Sequence, residues 1–321
     1  MAEADFEAPL VALQKRIDEL AKWPGDPAKE QESRRLREDL DACRREVYAK
    51  LTPWQKTLVA RHPNRPYTLD YVRALFTEWT QLHGDRRYGD DPALVCGFAL
   101  YKDLPVCVIG HQKGRDTKQK IYRNFGMPKP EGYRKAMRVM ELAAKFGRPI
   151  VTFIDTPGAY PGLDAEERGQ AEAIAWNLRE MARLEVPIVT IVAGEGGSGG
   201  ALAVAVADRV NMLEHAVYSV ISPEGCASIL FRDPSRAEEA ATAMKITARD
   251  LLGMGLVDEI IPEPAGGAHV NHEALFKSVD EVLWRQLSEL REVPRETLPQ
   301  SRFRKFRGMG RLGREFTEAV P

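Results

Sequence analysis

The chain has 321 residues, 44% hydrophobic and 29% charged, enough for one large globular domain with an extension or two small domains. A formal net charge of −1 gives no global electrostatic reason to expect nucleic acid, and no apolar run approaches the roughly 18 residues of a membrane helix. Four cysteines without a C-x-x-C pair and six scattered histidines argue against a metal site in this chain, and an acidic N-terminus without an apolar export core points to the cytoplasm.

Residues 1–60 read as a helical extension. Phe6, Leu10, Leu13, Ile17 and Leu20 recur at helical spacing until Pro24-Gly25 breaks the pattern. Residues 29–50 are highly charged, with apolar positions only at Leu36, Leu40 and Val47, as in a hairpin lying on a body or a partner. Pro63, Pro66 and Thr68 open a main domain assigned to 61–295, with Thr68 as N-cap of a helix over 69–82. Strands are then expected over 93–100, 105–109, 150–154, 187–192, 210–213, 218–221 and 257–261. Helices are expected between them over 132–146, 166–184, 200–207, 222–230, 237–244 and 247–254. This alternation predicts an α/β fold with parallel pairing. A last helix near 272–290 leads to a basic tail, 296–321, whose Gly- and Arg-rich stretch 302–314 reads as flexible or docked on a partner.

Chemistry is concentrated in two glycine turns. The strand near 186–193 runs into Gly194, Gly196, Gly197, Gly199 and Gly200, five glycines in seven residues, and then into an alanine-rich helix. Glycine is unfavourable in ordered backbone, so the cluster marks a sharp turn or a close approach. The first N–H groups of a helix lack partners inside it and can donate to a negative oxygen. Tight packing explains the same glycines equally well. No Lys follows them as in a phosphate-binding P-loop, and no acidic ribose partner closes a second strand. The other turn, Asp155-Thr156-Pro157-Gly158-Ala159-Tyr160-Pro161-Gly162, follows the strand over 150–154. Alone, its Pro-Gly pairs are ordinary turn formers. Two strand–glycine–helix units, however, can set two backbone donors side by side, the minimum for an oxyanion hole.

The two turns together resemble the crotonase superfamily. Five longer strings narrow the resemblance: GHQKGRDTKQKIYRNFGMPKPEGYRKAMR at 110–138, FIDTPGAYPG at 153–162, GEGGSGGALA at 194–203, SVISPEGCASIL at 219–230 and IIPEPAGGAH at 260–269. They are similar to the alpha-subunit family of bacterial-type acetyl-CoA carboxylase carboxyltransferases over roughly residues 5–295. The resemblance implies a crotonase-like spiral of repeated strand–strand–helix units behind an N-terminal helical extension. It implies transfer of a carboxyl group from carboxybiotin, held on a separate biotin carboxyl carrier protein, to acetyl-CoA, giving malonyl-CoA for fatty acid synthesis. Negative charge then develops on the ureido oxygen of biotin, which backbone donors can stabilise.

By the same resemblance, Gly199 and Gly200 offer one half of the hole and Gly158 and Ala159 the other. Gly196, Gly197 and Tyr160 line the biotin pocket, and a side chain at residue 200 fills the anion position. A zinc-containing beta subunit is then expected to hold acetyl-CoA, the alpha chain alone to be inert, and the assembly to be an α2β2 heterotetramer. The segment 110–148 carries eleven Lys and Arg against three acids, a local net of +8 suited to CoA phosphates or an acidic carrier, with Lys113 and Arg115 foremost. Without interleaved aromatics it does not predict nucleic-acid binding. Glu195 and Glu224 read as bases or turn residues, and His111 as structural. A competing reading is a serine hydrolase of the same superfamily, with Ser198, His215 and Asp258 in triad order.

Overall fold

A computed structural model describes residues 5–23 and 25–310 of the chain. Eight strands are formed: β1 (Thr77–Gln81), β2 (Leu94–Tyr101), β3 (Leu104–His111), β4 (Ile150–Thr156), β5 (Ile188–Gly197), β6 (Arg209–Leu213), β7 (Val217–Ser219) and β8 (Glu259–Ile261). β4 is buried along its whole length and β5 along all but its last residue. Burial of this extent, on mostly apolar residues, suits parallel strands covered on both faces. They lie at the centre of a sheet ordered β1-β2-β3-β4-β5-β6-β8, antiparallel from β1 to β3 and parallel thereafter. Helices Pro130–Lys145 and Gln170–Met181 pack into the same core through Met137, Met140, Ala173 and Met181.

β5 has two successive partners. Val189 to Val192 pair with Arg209 to Met212 of β6, and Glu195 to Gly197 pair with Val217 to Ser219 of β7. One strand serving two, followed by a helix, gives the strand–strand–helix winding and the α/β class read from the sequence. Ahead of this body, helices Ala8–Leu20 and Pro27–Ala49 form a hairpin with a small core of its own, built on Leu10, Ile17, Leu36, Leu40 and Tyr48. Among the described residues, no helix is long and apolar enough to cross a membrane.

Several boundaries differ from expectation. The helix over 69–82 ends at Leu75, and Thr77–Gln81 becomes the edge strand β1, because Thr77, Trp79 and Thr80 favour extended backbone. Its N-cap is Tyr67, whose N–H is taken by Asp70 at 2.8 Å, while Thr68 donates its hydroxyl to the His111 carbonyl at 2.6 Å. Gly169, at φ +82°, splits the helix over 166–184 into Leu163–Glu167 and Gln170–Met181. The helix over 200–207 shortens to Ser198–Leu202, and Thr117–Tyr122 forms a helix that was not assigned.

The basic tail requires a larger correction. Leu298–Gly308 is a helix, and Arg302 is fully buried. Its guanidinium donates to both Asp208 oxygens at 3.0 and 2.8 Å, and to the carbonyls of Met181, Leu184 and Val186 at 2.7, 3.0 and 2.9 Å. A guanidinium whose donors are all used can be buried, which is why this basic segment docks on its own chain. Residues 311–314 of the expected flexible stretch lie outside the described residues.

Candidate functional site

The C-terminal ends of β4 and β5 reach one edge of the sheet, where Thr156 lies opposite Gly196. Crevices outside the carboxyl ends of parallel strands are the usual ligand sites of such sheets. Here the two turns that leave the strands touch through backbone. A Cβ built on Gly197 would lie 2.1 Å from the Pro157 carbonyl oxygen. One built on Gly200 would lie 2.4 Å from both the Ala159 nitrogen and the Gly158 carbonyl carbon. Only glycine permits this approach. Gly199 differs, because a Cβ there would meet nothing nearer than Ile174 at 3.5 Å, an ordinary contact. The expectation that a side chain at 200 fills the anion position is therefore corrected: it meets the backbone of the facing turn first.

Free donors remain at this junction. Helix Ser198–Leu202 begins there, and Gly199 and Gly200 lie in its first turn, whose N–H groups have no partner inside the helix. The Ala159 N–H, outside any helix or strand, has no partner among the described residues. Gly158 is different: its N–H donates to the Thr156 hydroxyl at 3.0 Å, and that hydroxyl donates to the Gly158 carbonyl at 2.7 Å. Thr156 thus fixes the turn and uses up the Gly158 donor, leaving Ala159 as its free amide. Gly196 makes room for the Tyr218 ring, which a Cβ would meet at 2.6 Å. Tyr160 is half-buried, with the Lys129 ammonium 4.7 Å from its ring centre and its own N–H on the Pro128 carbonyl. Behind the turns, burial pushes the His111 pKa down to about 3, and the backbone of Phe153 and Gly200 beside the ring offsets this only in part, so its imidazole is neutral.

A line of charged side chains supports the β5 turn. The Lys113 ammonium lies 2.7 Å from Asp155 and 3.5 Å from Glu195. Burial disfavours its charge, but these two carboxylates hold its pKa above the ordinary lysine value. Asp155 also accepts the Glu195 N–H at 3.0 Å. Arg61 donates to Glu195 at 2.6 Å and to Glu224 at 2.5 Å, so neither glutamate is a free base. Although burial pushes the Glu224 pKa up, the hydrogen bond from Arg61 holds it below the usual carboxylate value. Arg115 is not brought to the turns: it binds Asp70, the Pro63 carbonyl and the face of Tyr67. Lys113 and Arg115 are thus both engaged within the chain. Arg61 was missed by sequence reading, since a single Arg at a helix end carries no signal.

The triad reading fails on geometry. His215 packs edge-on against Tyr48 and donates its backbone N–H to Glu263. Asp258 accepts the Val210 N–H and pairs with Lys305. Ser198 has φ +51° and lines an apolar cavity of about 220 Å³ with Leu202, Tyr218, Leu251 and Phe306. None of the residues lining that cavity is a base.

A family model described as acetyl co-enzyme A carboxylase carboxyltransferase-like matches residues 3–310. The acetyl-coenzyme A carboxylase carboxyl transferase subunit alpha of Syntrophotalea carbinolica is 56% identical over 307 residues, covering 95% of this chain and 97% of that protein. The subunit of the same name from Geobacillus kaustophilus is 55% identical over 314 residues, 97% of each. Among solved structures, transcarboxylase 12S aligns with a TM-score of 0.56 at 21% identity, covering 70% of this chain and 42% of that one. A Pseudomonas malonate decarboxylase hetero-tetramer chain aligns with a TM-score of 0.56 at 20% identity, covering 68% and 86%. At these identities the structural likeness is one of fold.

Proposed function

The chain belongs to the acetyl co-enzyme A carboxylase carboxyltransferase-like family, and we propose that its two facing glycine turns hold the ureido oxygen of biotin during carboxyl transfer. The activity is that of a carboxyltransferase alpha subunit, acting in carboxyl transfer to acetyl-CoA. The observation that carries the site reading is the backbone contact of the turns, which sets the free Ala159 amide beside the first turn of helix Ser198–Leu202, where Gly199 and Gly200 lie.

Carboxybiotin supplies the carboxyl group and leaves negative charge on its ureido oxygen. The residues of this chain meet that charge with fixed N–H donors. Such donors act without reorganisation at the moment of reaction, and each is worth about 10²–10³ in rate in comparable holes. Gly197 and Gly200 set the spacing, Thr156 locks the β4 turn, and Gly196 and Tyr160 border the site. No side-chain base is needed from this chain, in keeping with Glu195 and Glu224 both being paired to Arg61.

The acetyl-CoA half of the reaction falls to a beta subunit, with biotin delivered on a carrier protein and the subunits assembled as α2β2 in the cytoplasm. Support for a covering partner comes from large apolar side chains exposed on the segments that follow the strands: Leu163 at 75% next to Gly162, Val220 at 78% after β7, and Ile229 and Leu230 at 69% at the end of helix Pro223–Leu230. Patches of this kind on a soluble chain mark protein interfaces. Among the described residues, no group of three or more His, Cys, Asp or Glu could hold a metal.

The test replaces single amides by esters, exchanging Ala159 or Gly199 for the corresponding hydroxy acid in the assembled alpha–beta complex. Each exchange removes one N–H and keeps the shape. Loss of about 10²-fold or more in kcat is expected for Ala159 and for one of the helix-start donors. Unchanged turnover in all of them refutes the hole, and turnover by the alpha chain alone refutes the division of labour.

A further inference from the structure

The β5 strand must bend between its two partners, and the last three residues before the helix hold to β7 by only three residue pairs, Glu195–Val217, Gly196–Tyr218 and Gly197–Ser219. So short a ladder is weak on its own. The glycines that follow add no side-chain packing to stiffen it. Yet the spacing of the two turns depends on where this segment lies.

We propose that Arg61 is a positioning residue, a clamp that fixes the glycine turn by joining the two elements framing it. Its guanidinium donates through Nε to Glu195, the residue before Gly196, at 2.6 Å. Through Nη1 and Nη2 it donates to Glu224 at 2.5 and 3.3 Å. Glu224 lies in the first turn of helix Pro223–Leu230, which leaves the end of β7. One planar cation therefore ties β5 to the element beyond its short partner strand, across the ladder that needs support. The side chains are 27%, 12% and 39% exposed for Arg61, Glu195 and Glu224, so water screens them only in part.

Other contacts hold the segment but cannot replace the clamp. Asp155 accepts the Glu195 N–H, and Lys113 pairs with both carboxylates, from the β4 side. Arg65 donates to the Ala193 carbonyl at 2.8 Å, below the bend. None of them reaches helix Pro223–Leu230. Arg61 also ends helix Pro53–Ala60 as its C-cap, so the clamp is anchored outside the sheet. Lysine has one compact ammonium in place of a planar fork and can serve only one of the two carboxylates well.

The inference rests on the reading of the glycine turns as the reacting site. The experiment uses the assembled alpha–beta complex with Arg61→Ala, Arg61→Lys, Glu224→Gln and the double variant R61A/E224Q. It measures kcat, KM for acetyl-CoA, thermal midpoint and recovery of the complex. Arg61→Ala is expected to lower kcat by about tenfold or more, through misplaced donors, with KM for acetyl-CoA within about twofold. Arg61→Lys recovers part of the loss, Glu224→Gln gives an intermediate loss, and the double variant is no worse than Arg61→Ala. Unchanged kcat in Arg61→Ala overturns the clamp. So does a fall in activity matched by loss of folded complex with no rescue by lysine. The Ala159 ester separates the two ideas: if it keeps full turnover, the site reading has failed, whereas a dead ester with an active Arg61→Ala removes the clamp alone.

Discussion

Gly200→Ala is the sharpest perturbation of the turn-to-turn contact. The added methyl would start 2.4 Å from the Ala159 nitrogen and the Gly158 carbonyl carbon, and 2.9 Å from the Gly158 Cα. Ordinary contact begins near 3.4 Å, so the two turns must part by about 1 Å. Both sides are backbone, which cannot swing away as a flexible side chain would. A misplacement of about 1 Å at a reacting site typically loses on the order of 10² in rate, equivalent to about 2.7 kcal/mol of barrier. The same insertion overpacks the junction by about 1–3 kcal/mol. Gly199→Ala is the internal control, since its methyl meets only Ile174 at 3.5 and 3.6 Å. With both substrates saturating, the initial rate of malonyl-CoA formation by the alpha–beta complex should fall about a hundredfold in Gly200→Ala. The rate in Gly199→Ala should stay within about threefold of the parent, as expected for a methyl that makes only ordinary contact. The reasoning is refuted if Gly200→Ala retains turnover within that margin, or if Gly199→Ala is equally damaged.

Arg302→Ala strands the buried Asp208 carboxylate and three carbonyls, so thermal or urea unfolding should show a loss of about 3–5 kcal/mol; a midpoint like the parent's contradicts the docking of this helix. Glu263 is fully buried against Arg65: burial pushes its pKa up, but the guanidinium overrides this and holds it near about 2, below the ordinary 4.5. A lowered carboxylate pKa stabilises the fold above the unfolded value, and that stability drains as pH falls from about 4.5 towards about 2. Urea unfolding across that window should therefore have a shallower pH dependence in Glu263→Gln, and an unchanged slope contradicts the assignment. Ser198→Ala should keep turnover within about threefold, as a change at a group with no part in the chemistry, and the parent should resist a fluorophosphonate; stoichiometric labelling of Ser198 with loss of transfer points back to a serine nucleophile.

The turns were legible because glycine's special needs are written into the sequence: five in seven residues after an apolar strand, and a second set after another. Strands β4 and β5 were legible for a similar reason, as mostly apolar runs bounded by turn residues. The helix over 69–82 misled because Leu69, Val72 and Leu75 fit helical spacing while Phe76, Trp79 and Leu82 continue it by chance. What sequence could not provide was pairing across long separations. Arg61 finds Glu195 134 residues away and Glu224 163 away, and Arg302 finds Asp208 94 away. Neither arginine has a local pattern, and both act only through the fold. Lys113 erred in the opposite sense: a conspicuous cation beside a site, it reads as a ligand for phosphate, yet Asp155 and Glu195 already claim its charge.

Tight packing and the proposed anion binding, the two explanations of the glycine run, are compatible in one arrangement. Gly197 and Gly200 are there for packing, since Pro157, Gly158 and Ala159 occupy the space a Cβ would need. Gly194 and Gly196 are there for packing as well, against Asp155 and the Tyr218 ring. None of the four is required for donation as such, because any residue except proline supplies an N–H. Their effect on donation is indirect: by letting the turns touch, they bring the free Ala159 amide beside the start of helix Ser198–Leu202. Convergence of donors is thus a product of backbone contact. It follows that the site should tolerate changes of polarity around it far better than a single methyl at residues 197 or 200.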